Sequence, residues 1–167
     1  MGFKKTSSLV AISFGVSEIA PNTFIQDEIA LQLDVLNNEI FVVEAIDLDT
    51  QAPDAVAGTD TDARSSLTTT SQTATASLSN TNCLASQILQ IRAGGFVDSG
   101  VGFTRDSSDA FAQIDYLGII ATNNFFVQVK GTGNVGGKTV TGKLYGYRAR
   151  ADASTYAALV QSEVLSA

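Results

Sequence analysis

The sequence predicts an all-β chain, an antiparallel β-sandwich or single jelly roll with one short C-terminal helix. Three observations predict it. Apolar side chains alternate with a period of two in several short segments, as they do in half-buried strands. Turn signals separate those segments: Asn37-Asn38, Gly94-Gly95, Asn123-Asn124 and a glycine-rich stretch at 131–137. The clearest helical spacing lies at the C-terminal end, over residues 152–165.

Taken in order, Val10, Ile12, Phe14 and Val16 alternate with small residues and predict a strand. Ile29, Leu31, Leu33 and Val35 predict a second, joined by a tight Asn37-Asn38 hairpin to an apolar strand over Ile40–Leu48. Residues 47–62 read as an acidic loop. In 65–81, 11 of 17 residues are Ser or Thr without Gly or Pro, which predicts one or two exposed, weakly amphipathic strands. Leu84, Ile88, Leu89 and Ile91 mark a strand or short helix, and 96–110 a long loop. Strands follow at 114–122, 125–130 and 138–150, the last two flanking a flexible hairpin tip at 131–137. Tyr145 and Tyr147 take one face of the last strand, Leu144, Arg148 and Arg150 the other. Asp152 or Ser154 caps the closing helix, with Tyr156, Leu159, Val160 and Val164 along one side. The total is seven to nine strands with no internal repeat, as in sandwiches and jelly rolls.

At 17.4 kDa and 44% hydrophobic residues the chain has the size and composition of one domain, 1–167, with residues 1–8 as a short N-terminal arm. Its apolar runs are too short to span a bilayer. Lys4 and Lys5 precede Leu9–Val16 as in a secretory leader, but Ser and Gly dilute the apolar part. Histidine is absent and Cys83 is the single cysteine. The usual general base, proton shuttle and commonest metal ligand are therefore missing, and no Ser-His-Asp, Cys-His or thiolate zinc constellation fits in one chain. The expectation is a chain that builds or binds and is not an enzyme. Cys83 reads as a small buried hydrophobe.

Net charge is −7, unevenly distributed. Residues 1–62 carry 11 acids against Lys4 and Lys5, whereas 63–167 carry 8 bases and 6 acids. Copies of the chain could meet through such asymmetry, acidic patch against basic patch. Lys130, Lys138, Lys143, Arg148 and Arg150 form a basic run without an acid. Strand alternation divides it, so it carries no strong nucleic-acid signature. Lys143, Arg148, Arg150 and Tyr156 are the candidate subunit contacts. Asp47, Asp49, Asp60 and Asp62 are the candidate metal ligands, hard oxygens suited to Ca²⁺, although their spacing is not that of an EF-hand. A Ca²⁺-dependent binding or adhesion module using 47–62 is thus one reading; otherwise no cofactor is expected. A further one is a dimeric aspartic protease, since Phe96-Val97-Asp98-Ser99-Gly100 matches that family's signature and one copy supplies half a site. Asp-Ser-Gly is equally an ordinary turn sequence, and that reading is favoured.

The segment from Asp115-Tyr116-Leu117-Gly118 through Phe125-Phe126-Val127-Gln128-Val129 resembles small structural proteins of environmental, largely marine, viruses. The ending Tyr145-Gly146-Tyr147-Arg148-Ala149-Arg150-Ala151-Asp152 through Val164-Leu165-Ser166-Ala167 does so too, and Glu39–Asp49 faintly. The resemblance implies a self-assembling, capsid-type virion subunit, formed in the host cytoplasm and partnered by copies of itself and other virion proteins. It carries no catalytic motif and transfers no site residue.

Overall fold

A computed structural model describes residues 2–97, 100–106 and 115–165. The chain is an antiparallel β-sandwich of two five-stranded sheets with a C-terminal helix. The strands are β1 (Phe3–Lys5), β2 (Val10–Ser17), β3 (Ile25–Ala30), β4 (Glu39–Thr50), β5 (Thr61–Thr68), β6 (Cys83–Arg92), β7 (Val101–Asp106), β8 (Gly118–Ile120), β9 (Asn124–Thr132) and β10 (Thr139–Ala151). The helix α1 spans Ala153–Leu165.

Pairing is nested. β2 pairs with β10, β3 with β9, β4 with β8 and β5 with β6, all antiparallel. This folded-over ribbon then rolls up, bringing β10 beside β4 and β9 beside β5. One sheet runs β2-β10-β4-β8, with β1 continuing the β2 edge; the other runs β3-β9-β5-β6-β7. That order is a jelly roll with β1 and β7 added.

Most successive strands therefore lie in different sheets, which corrects three local readings. The Asn37-Asn38 turn does not join a hairpin: Asn38 takes positive φ at the end of a 3₁₀ turn (Val35–Asn37) and the chain crosses from β3 to β4. Asn123 likewise stands at a crossing, and 131–137 links β9 to β10 across the sandwich. The β3 strand ends before Leu31 because Gln32 has positive φ and Asn123 binds the Leu31 and Leu33 N–H groups. Leu31 and Leu33 turn inward to plug that end of the core.

Inner-face side chains of both sheets form the main core, among them Phe41, Ile120 and Leu144 on one side and Leu67, Phe125 and Val129 on the other. Each such burial contributes about 1.5–3 kcal/mol. A polar tie crosses the core. Thr50 of β4 donates through N–H and Oγ1 to Gln87 Oε1 of β6 and shares a 2.6 Å hydroxyl contact with Ser65 of β5.

Among the described residues, each sheet is half covered on its outer face, at the same end of the sandwich. Over the β10/β4 sheet, α1 packs Tyr156, Leu159 and Val160 onto Ile40, Val42, Ala149 and Ala151. Asp152 caps this helix as expected, accepting from Thr155 N–H. Val164 does not join the packed side; it is 60% exposed, and its neighbour Glu163 is buried instead. Residues 3–5 form edge strand β1 on β10 rather than a free arm. Over the other sheet lies segment 69–82, which is irregular, not strand. It covers Ser66, Thr68 and Gln128, and Ser66 Oγ accepts from Ala76 N–H while Gln26 Oε1 accepts from Gln72 N–H. The Ser/Thr run is thus partly interior: Ser65, Ser66 and Thr68 are buried. The segment read as a loop over 96–110 contains β7, whose partner is β6.

Candidate interaction surfaces

Buried polar side chains tie together the loops at the uncovered end. The Glu18 carboxylate accepts from the N–H groups of Thr23, Gly131 and Lys138. Asn134 donates to the Asp62 carbonyl, accepts from Asp54 N–H, and bonds reciprocally with Asn22. Lys138 is 2% exposed and its Nζ lies 2.7 Å from Asp54 Oδ1. Asp54 also receives Val135 and Gly136 N–H groups, and its carboxyl is held below the usual range by Lys138 first and Gly136 second. This corrects two expectations: 131–137 is not a flexible tip, and Lys138 is not a surface base. These groups are consumed in holding loops, and none is left pointing into a cleft.

The four candidate metal ligands do not come together. Asp47 and Asp49 stand on the exposed outer face of β4, opposite Lys143 and Thr141 of β10. Asp62 is in β5 of the other sheet and Asp60 stands in the loop just before that strand. Asp60 caps the 93–95 turn by accepting Ala93 and Gly94 N–H groups and pairs with Arg92 at 3.3 Å; Asp62 lies 3.4 Å from Arg64. The stretch 47–62 is the end of β4, a loop and the start of β5, so its carboxylates point in different directions. Among the described residues, no group of three or more His, Cys, Asp or Glu side chains could hold a metal ion.

Two of the four candidate subunit contacts serve the fold itself. Arg148 lies at the end of the sandwich that α1 covers, donating to the carbonyls of Leu31 and Gln32 and to Glu39 Oε1 at 2.7 Å. Tyr156, on the inner side of α1, packs against the β10/β4 sheet. Lys143 and Arg150 are exposed. Asp98 and Ser99 lie outside the described residues.

The surface the sequence did not disclose lies on the uncovered half of the β3-β9-β5-β6-β7 sheet. Register places Lys130, Arg64, Ile88 and Arg105 side by side across β9, β5, β6 and β7. Arg64, Ile88 and Arg105, with Arg92, Gln90 and Phe103, line a groove of about 380 Å³, and Lys130 stands next to Arg64 on the adjoining strand. Like charges directly opposite one another, as Lys130 and Arg64 are, repel. Among the described residues, the ion pairs of these four cations are Arg64 with Asp62 and Arg92 with Asp60. The three arginines are far apart in sequence, so only strand parity hints at a shared face, and β7 had to be recognised first.

The uncovered half of the opposite face is flat and acidic. It carries Glu44, Asp47 and Asp49 among Ala11, Ser13, Gly15 and Thr141, with Lys143 as the opposing base. The fold thus defines a jelly-roll unit with two uncovered half-faces of opposite charge. No protein-family model and no curated protein sequence matches the chain. A solved structure titled turnip yellow mosaic virus is similar over 86% of this chain and 82% of its own, at 14% identity and a TM-score of 0.32. That score adds nothing to the topology read directly from the strand pairing.

Proposed function

We propose that the chain is a structural protein of a virion, a non-enzymatic capsid subunit that assembles with copies of itself. The observation that carries this reading is where the exposed aliphatic side chains stand. Ile19 (88% exposed) and Val135 (76%) crown the end at which Asn22 and Asn134 bind each other; Leu36 (96%) crowns the opposite end, with Leu78 (61%) on the covering segment. Single exposed apolar residues are ordinary, but sets on loop tips at both ends of a rigid sandwich suit contacts with neighbours. Jelly rolls host viral shell domains among other functions, so the fold alone does not decide it. The resemblance of 115–129 and 145–167 to viral structural proteins points the same way. Copies of the chain are then its main partners, with other virion proteins, and the virion its location. The genome is left to another component or to a minor contact, since the bases of 130–150 are dispersed over both sheets and the interior.

Electron microscopy of the purified protein is the test. Closed particles of uniform size are expected; a field of isolated monomers at high concentration would remove the proposal.

A further inference from the structure

We propose that the two uncovered half-faces are the two sides of one repeated contact, in which the acidic half-face of one copy docks on the arginine groove of the next. The inference rests on the self-assembly reading and names the surfaces that reading leaves open.

Position argues for it first. Segment 69–82 and α1 cover the same end of the sandwich, one on each sheet. Both uncovered half-faces therefore lie at the other end, on opposite sides. Copies standing side by side in one orientation bring them together at the same height. Charge argues for it next. Lys130 and Arg64 stand on neighbouring strands, about 4.8 Å apart, Arg105 lies in the same row beyond Ile88, and a carboxylate-bearing surface relieves their repulsion. Arginine matches carboxylates with its forked donors. Asp47 and Asp49 supply such carboxylates near Ser13, Gly15 and Thr141, whose small side chains permit close approach, with Lys143 and Tyr145 on the same face. An acidic chain with pI near 4.3 is a poorer host for a phosphate polymer in this groove than for its own opposite face. A contact between different surfaces of identical copies is heterologous, and it closes into a ring when the rotation between neighbours permits.

Charge reversal tests this. One protein carries Arg64→Glu with Arg105→Glu, the other Asp47→Lys with Asp49→Lys; all four side chains are exposed, and circular dichroism checks the fold. Each protein alone should lose association, since its two half-faces now share a sign. An equimolar mixture should regain it, because each altered face meets a complementary one. Association of either altered protein at the wild-type level would overturn the contact while leaving self-assembly intact, and so would failure of the mixture. A monomeric wild type would instead remove the assembly reading on which it rests. Loss of binding to an oligothymidylate probe, with self-association unchanged, would assign the groove to nucleic acid and overturn the contact. Should a variant not fold, salt decides with the unmodified protein: the contact should be lost near 1 M, where the Debye length is about 3 Å, and persistence there would overturn it.

Discussion

Lys138 shows how a charged side chain becomes part of an interior. Its ammonium is almost fully enclosed and reaches one carboxylate, Asp54, which two backbone N–H groups also hold. Lys138→Ala removes both stem and charge and should cost about 2–4 kcal/mol in denaturant unfolding; Lys138→Met, which keeps the stem, should cost less. Glu163 is the opposite case. Burial pushes its carboxyl above the ordinary 4.5, against hydrogen bonds from Ala121 N–H and from the hydroxyl and N–H of Thr122. A raised folded-state value means that its contribution is full below 4.5 and is lost as pH rises through the raised value. Wild type should therefore lose stability relative to Glu163→Gln as pH rises from 4.5 through the raised value; a pH-independent difference in unfolding free energy would contradict it. Asp54 and Asp60 behave the other way. Lys138 depresses the first and the Gly94 N–H the second, so their stabilisation is present above 3.8 and fades as pH falls through their lowered values.

Among the elements, β10 is the spine, since it pairs with β1 and β2 on one side and β4 on the other. Two of its glycines are there for close approach. A Cβ on Gly146 would fall on the Val42 carbonyl oxygen and the Phe41 ring, next to the Glu44 bulge, and one on Gly142 on the Asp47 carbonyl oxygen. Gly146→Ala should destabilise by about 1–3 kcal/mol. Gly102→Ala on β7, where the nearest atom is 3.9 Å from the added Cβ, should stay within about 0.5 kcal/mol by thermal unfolding. At this scale the sequence was legible for strands but not for partners. Alternation located β2, β4, β9 and β10 within a residue or two, because each has one face in the core. It gave no sign that β3 and β4, or β9 and β10, lie in opposite sheets, since a crossing and a hairpin use the same Asn and Gly residues. Segment 69–82 misled for a related reason. Its Ala76 and Gln72 N–H groups donate to Ser66 and Gln26, and its Ser71 hydroxyl accepts from Gln26, which also accepts from Gln128, so a polar composition that reads as solvent-facing strand is a lid over polar side chains.

For the whole molecule, the sequence showed that charge is segregated, acids early and bases late, but not where it lands. Folding consumes Lys138 and Arg148 internally and gathers Arg64, Arg92 and Arg105, from three separate strands, onto one face. The candidate contact is therefore a product of topology, with Lys130 as its sole member from the basic run. The central claim is that this 17.4 kDa chain exists to bind copies of itself. Sedimentation velocity over a range of protein concentrations at low salt tests it most directly. The account predicts a fast-moving boundary of many subunits that grows at the expense of monomer as concentration rises, whereas a single boundary at the mass of one chain throughout the range would contradict it.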